Sequence, residues 1–148
     1  MELAEALASW VRAGGAPALA GAAFVGATLV PVSSELAFGA AVAAGVPLGA
    51  ALAWATAGNT LGCVLNYALG RWGRERWGAR LAASRSGRAA LRWTERWGLG
   101  ALALSWLPVV GDPLTLAAGV ARVRPAVFVP AVAALRLARY AAIGWALV

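Results

Sequence analysis

Between Arg12 and Arg71 the sequence carries one charged side chain, Glu35, and between Arg96 and Arg122 one more, Asp112. Each acid interrupts an apolar tract, and each follows a proline: Pro31-Val32-Ser33-Ser34-Glu35 and Pro108-Val109-Val110-Gly111-Asp112. The first tract is broken again at Gly45-Val46-Pro47, and neither half reaches the ~20 residues that a spanning helix needs. The pattern predicts two short helices joined at a polar break, a re-entrant hairpin over about 16–46. Residues 48–70 are long enough to cross a bilayer. Residues 71–97 are basic and amphipathic, 98–121 form a second broken hairpin, and 126–148 a second span. Residues 2–12 predict a short interfacial helix, closed by a loop over Ala13-Gly14-Gly15-Ala16-Pro17. The expected fold class is an all-α integral membrane protein with interfacial amphipathic helices.

Composition turns this pattern into a statement about solvent. Of 148 residues, 61% are hydrophobic and only 13% charged, against about 25% charged in soluble domains; mean hydropathy is +0.72. An apolar excess of this size needs lipid to cover it. The formal net charge of +7 comes from thirteen arginines without a lysine. Eight of them lie from Arg71 to Arg96, interleaved with tryptophan. That placement suits an anionic inner leaflet and argues against nucleic acid as the partner. On a helical wheel Arg85, Arg88, Arg92 and Arg96 share one face, while Ala90, Trp93 and Trp97 share the other, as in a helix lying flat on a membrane. By the positive-inside rule the 71–97 linker is expected to be cytoplasmic, in a multi-pass protein of the inner membrane.

Residue types exclude several chemistries. The sequence has no histidine, which removes His-assisted nucleophiles and the common zinc sites; no metal and no cofactor are expected. Cys63 is the single cysteine and reads as a small core residue. The N-terminus, MELAEALASW, begins acidic, so no signal peptide is expected. In the first span Ala55, Gly58 and Gly62 lie on one face, which favours close helix packing, and Asn59 and Asn66 can hydrogen-bond across a bundle.

The two breaks match each other: proline, valine, two residues, then an acid. An Ala/Gly-rich half-helix follows each, then Pro47 or Pro125, then a span. Pro31, Pro108, Gly111 and Pro113 mark the hairpin breaks. One crossing separates the hairpins, so they are expected to enter from opposite faces as an inverted repeat with a site near the midplane. Glu35 and Asp112 are then hairpin-tip acids, with Ser33 and Ser34 beside the first. An unpaired charge at that depth costs at least ~2.5–3.5 kcal/mol. Proton uptake avoids this cost, and so does pairing with Arg136 or Arg139, which share a helix face. Arg136 lies roughly 16 Å along the helix axis from Pro125, too deep to snorkel easily.

These residues carry a family resemblance. PVSSE (31–35), GNTLGCVLNYALGR (58–71), SWLPVVGDPLTLAAGVARV (105–123) and LRLARY (135–140) resemble the DedA/VTT-domain membrane proteins, in the branch called YqaA. The resemblance covers nearly the whole chain, in order, and treats residues 1–148 as one domain. It implies two opposed re-entrant hairpins and movement of lipids, phospholipid or polyprenyl phosphate, across the bilayer, sometimes with proton dependence. By position, Glu35 and Asp112 are the hairpin acids and Arg136 and Arg139 the basic residues of the final helix. Better-studied members carry arginines around the second hairpin's proline; here none is present, and Arg136 and Arg139 would take their place.

Three function classes follow. In a lipid transporter or scramblase, Arg136 and Arg139 attract an anionic phosphate headgroup, while Glu35 and Asp112 hold a groove open or exchange a proton. A chain this small has little surface to enclose a headgroup, which allows a homo-oligomer. The second class is a non-transporting scaffold or assembly factor. The third, an intramembrane aspartyl protease, needs a carboxylate dyad; VVGD is similar to the GxGD motif of such enzymes, but Val109 replaces its first glycine.

Overall fold

The computed structural model describes residues 2–27, 34–106 and 111–147, which are almost wholly helical and contain no strand. The elements are α1 (Glu2–Gly26), α2 (Ser34–Ala43), α3 (Leu48–Trp72), α4 (Arg74–Ala83), α5 (Arg85–Trp97), a 3₁₀ helix (Gly98–Trp106), α6 (Gly111–Val120) and α7 (Pro125–Leu147). Two helices, Leu48–Trp72 and Pro125–Ala146, are long and apolar enough to cross a membrane. Pro17–Gly26 and Ser34–Ala43 are apolar but too short.

The chain forms two compact units, Met1–Gly62 with Arg136–Val148, and Cys63–Leu135. In the first, α1 and α2 pack with the opening half of α3 and the closing half of α7. Its core is built from small residues, Ala22, Ala23, Ala37, Ala41, Ala51 and Ala55, around Leu19, Phe38 and Tyr140. Lipid tails are as apolar as leucine, so burying large side chains gives little drive for helix association inside a membrane; close backbone approach does. The expected small face of α3 serves this purpose. A Cβ on Gly58 would lie 2.0 Å from the Ala20 carbonyl oxygen, and one on Gly62 would lie 2.6 Å from the Ala27 Cβ. Ala55 is fully buried.

The second unit repeats this with α6. A Cβ on Gly70 would meet the Leu116 carbonyl oxygen at 2.2 Å, and one on Gly119 the Tyr67 carbonyl oxygen at 2.1 Å, so α3 and α6 touch backbone to backbone through glycines on both. The basic region is two helices. Ser84 ends α4 and caps α5, its Oγ accepting from the Gly87 N–H at 3.0 Å, an ordinary N-cap worth about 1 kcal/mol. Arg85, Arg88, Arg92 and Arg96 are exposed, as the wheel predicts. The opposite face packs within the protein: Ala90 joins Leu81, Ala101, Leu114 and Ala117 in one cluster, with Trp93 at its edge.

One expectation is corrected. The predicted loop at 13–17 is a kink at one residue: only Gly15 leaves helical geometry (φ 62°, ψ −148°), and helix resumes across Pro17. Proline is tolerated in a helix's first turn, where its missing N–H has no partner to lose. Gly111 and Pro113, named for the second break, lie in the first turn of α6, where a proline is equally tolerated. Pro31, Ser33 and Pro108 fall outside the described residues.

The two half-helices share one local plan at a constant offset in residue number. α2 and α6 are each 10 residues long, beginning at Ser34 and Gly111. Each closes with the same pair of bonds: Gly45 N–H to Val42 O and Val46 N–H to Ala41 O in the first, Arg122 N–H to Gly119 O and Val123 N–H to Ala118 O in the second, all at 3.0 Å. This is the Schellman closure, with a left-handed residue after the helix: Gly45 (φ 90°) and Arg122 (φ 57°). The spans then begin at Leu48 and Pro125, preserving the offset.

Candidate functional site

Both acids sit in the first turn of a half-helix, Glu35 in α2 and Asp112 in α6. There the unpaired backbone N–H groups and the helix dipole favour negative charge. An acid is thereby tolerated in an apolar tract.

In the first unit Glu35 Oε1 forms an ion pair with Arg139 Nη2; the side chains are 37% and 18% exposed. Beside it runs a set of neutral hydrogen bonds. The Asn59 Nδ2 donates to the Tyr140 hydroxyl at 3.0 Å and to the Ser34 Oγ at 3.4 Å. Asn59 and Tyr140 are both buried. The Tyr140 ring packs 5.2 Å from that of Phe38. Arg136, on the same stretch of α7, is only 3% exposed. Five of the residues singled out from sequence, Ser34, Glu35, Asn59, Arg136 and Arg139, therefore lie in this unit, four of them in direct contact with one another or with Tyr140.

In the second unit the Thr115 Oγ1 donates to the Asp112 carbonyl at 2.9 Å and accepts from the Asn66 Nδ2 at 3.4 Å. Asn66 and Thr115 are buried. One turn along α3 from Cys63, the Tyr67 hydroxyl donates to the Val123 carbonyl and accepts from the Arg71 Nη1 at 3.2 Å. The Tyr67 ring stacks on Phe128 with centroids 4.5 Å apart. Each asparagine of α3 thus holds a hydroxyl-bearing neighbour in its own unit.

Sequence reasoning missed Tyr140, Tyr67 and Thr115. A signal was present for the tyrosines: both lie in apolar helices, where a buried phenol usually finds a partner for its hydroxyl. Thr115 carried none, because threonine in a helix commonly bonds its own backbone. Tyr140→Phe keeps the ring against Phe38 but strips Asn59 of its 3.0 Å partner. It should lower unfolding stability in detergent by about 1–2 kcal/mol, the cost of a buried donor left unmade, read from tryptophan fluorescence on heating. Equal melting of variant and wild type would show that Asn59 does not depend on that hydroxyl.

The arrangement sets one guanidinium against one carboxylate beside a buried amide–phenol pair. Among the described residues no three of His, Cys, Asp and Glu are grouped to hold a metal ion. Among the described residues, two helices long and apolar enough to cross a membrane, two shorter apolar ones and no strand fit an all-helical membrane protein.

Residues 30–145 match the VTT domain family. The inner membrane protein YqaA of Escherichia coli (strain K12) is 41% identical over 101 residues, covering 68% of each chain, and YqaA of Shigella flexneri is equally similar. A protein of Haemophilus influenzae is 36% identical over 113 residues, 66% of this chain and 64% of its own. The chain belongs to the VTT-domain (DedA) family, in its YqaA branch. No solved structure matches it.

Proposed function

We propose that this protein moves an anionic, phosphate-bearing lipid across the inner membrane. The two half-helix pairs act as re-entrant hairpins in an inverted repeat, and the 71–97 region lies on the cytoplasmic side. The observation that carries this reading is the ion pair that Arg139 of α7 makes with Glu35, the one charged residue between Arg12 and Arg71. Ionisable groups at membrane depth are costly and mark pathways or relays. The guanidinium is the side chain best matched to a phosphate's paired oxygens. Arg139 exchanges its carboxylate for the headgroup, Arg136 adds a second positive charge, and Glu35 and Asp112 take up a proton while the anion is held. Ser34, Asn59 and Asn66 line the polar route with neutral donors and acceptors. Lipid is the substrate, either a phospholipid or a polyprenyl phosphate, and a second copy of the chain would help enclose the headgroup.

A second reading, a non-transporting scaffold, is favoured by one fact: Glu35 and Arg139 already satisfy each other without a ligand. Flipping of fluorescent phospholipid and of a polyprenyl phosphate in proteoliposomes separates the two. The wild type should move one of these lipids well above empty vesicles. Glu35→Gln and Asp112→Asn should insert normally and lose at least tenfold in rate, the scale for removing one group acting on a transferred charge (about 1.4 kcal/mol). Wild-type vesicles that move neither lipid faster than empty ones would leave the scaffold reading.

A further inference from the structure

The exposed large apolar side chains of α3 are Trp54, Leu61, Leu65 and Trp72. Their spacing places them on one line. Trp72 follows Trp54 by about five full helical turns, and Leu61 and Leu65 fall within about 20° of the line between them. Asn59, Cys63 and Asn66 lie on the opposite side of the helix and are buried. The strip carries no charge before Arg71, because Glu35 is the one charged residue between Arg12 and Arg71.

A tryptophan stands at each end of this strip. Trp54 and Trp72 are 44% and 84% exposed, and tryptophan concentrates where hydrocarbon meets headgroups. The rise from one to the other is about 27 Å along the helix axis. At the average tilt of about 20° it matches a hydrocarbon layer of about 25–27 Å. What lies beyond each end fits the same boundaries. Arg71 and Arg74 flank Trp72. Beyond Trp54, by about 10 Å, comes the turn that leads into α3, with Ala44, Gly45 and Pro47 exposed. Non-helical backbone facing lipid belongs outside the hydrocarbon. On α7 the same measure recurs: the exposed Val127 and Trp145 are again about five turns apart on one line. Arg124 lies just outside Val127, and the buried Arg136 lies on the opposite side of that helix.

We infer that the α3 strip framed by Trp54 and Trp72 is a lipid-facing surface that selects a bilayer by its hydrocarbon thickness, about 25–27 Å, and so fixes the depth of the protein. Its occupant is the acyl chain and not the headgroup, and it acts whether or not the protein moves lipid. A second copy seated on the strip would have to cover both indoles, whose polar edge is best placed where one side stays wet. The frame also sets a depth for the polar contacts of α3. Asn59, which bonds Ser34 and Tyr140, lies about 7.5 Å inside the Trp54 boundary, short of the bilayer centre.

The test reads tryptophan emission against acyl-chain length. The full chain is reconstituted in phosphatidylcholine bilayers with hydrocarbon about 22, 26 and 33 Å thick, with and without brominated phosphatidylcholine, which quenches tryptophans that touch lipid. Competition between brominated and plain lipid gives the relative affinity for each thickness. The wild type should favour the middle thickness roughly two- to threefold over either extreme, the scale for several ångströms of mismatch. Trp54→Phe/Trp72→Phe should melt like the wild type, since both side chains are exposed, and should lose part of the lipid-quenched emission. Its thickness preference should flatten to below about 1.5-fold, because phenylalanine lacks the polar edge that anchors an indole at the interface. Trp97→Phe, on α5, should leave the preference unchanged. Equal affinity of the wild type for all three thicknesses would overturn the inference, and so would a preference that survives in the double variant. Lipid quenching undiminished in the double variant would show that Trp54 and Trp72 are shielded from lipid, and would assign the strip to a second copy instead.

Discussion

Arg139→Gln is expected to destabilise the protein and, on the proposed transport reading, to stop lipid movement, and the paired change Glu35→Gln/Arg139→Gln to restore the first but not the second. Arg139 is the ion-pair partner of Glu35. Its loss leaves a carboxylate in an apolar tract, which must protonate or be exposed. Removing one partner of a fully buried pair costs about 3–5 kcal/mol. Glu35 is 37% exposed, so about 2 kcal/mol is the better expectation here. Neutralising both partners removes the remaining charge, and two amides of similar shape can hydrogen-bond to each other. Most of the lost stability should return, and thermal unfolding in detergent reads it. On the proposed transport reading, flipping should stay at the level of empty vesicles in both variants, because that reading has the guanidinium at position 139 take the phosphate. A double variant that regains stability and flipping together would show that the ion pair only fixes helix packing.

Gly58→Val should unfold the first unit. A Cβ at this position would lie 2.0 Å from the Ala20 carbonyl oxygen, 2.7 Å from its carbon and 2.8 Å from its Cα. All three are backbone atoms, so no side-chain rotation relieves the contact and α3 must move off α1. Overpacking usually costs about 1–3 kcal/mol. Two methyl groups pressed on a fixed main chain place this change at or above the top of that range. Gly49, also on α3, is the control, because a Cβ there meets nothing within 4 Å. Gly49→Ala should be neutral or stabilising by up to about 1 kcal/mol through helix propensity. Detergent-solubilised yield and melting temperature measure both. A melting temperature for Gly58→Val close to that of Gly49→Ala would refute backbone contact at Ala20.

Much of the helix plan was legible because apolar tract length, proline and glycine act locally. The long apolar stretches at 48–70 and 126–148 fall on the helices Leu48–Trp72 and Pro125–Leu147, which have the length and composition to cross a membrane. The small face of α3 was readable from its period alone, and so was the arginine face of α5. Boundaries that depend on a single residue were not. Gly15 alone turns the chain where five residues suggested a loop. Pro113 reads as a breaker, yet it enters the first turn of α6, where a proline has no bond to break.

By itself the sequence determined the apolar character of the chain, the two stretches long enough to span a bilayer and the two acids that interrupt apolar tracts, since these follow from transfer energy summed along a continuous stretch. It also determined that Glu35 needs a partner, because a lone charge in that tract is too costly to leave. Which partner it takes was left open between Arg136 and Arg139, one helical turn apart, and only the tertiary structure chose Arg139. The same holds for the Asn59–Tyr140 and Asn66–Thr115 pairs, whose members lie far apart in the chain, and for the tie from Arg71 through Tyr67 to Val123. A hydrogen bond depends on distance and direction to within a fraction of an ångström. Those quantities come into being only when helices that are independent in sequence have packed glycine against backbone.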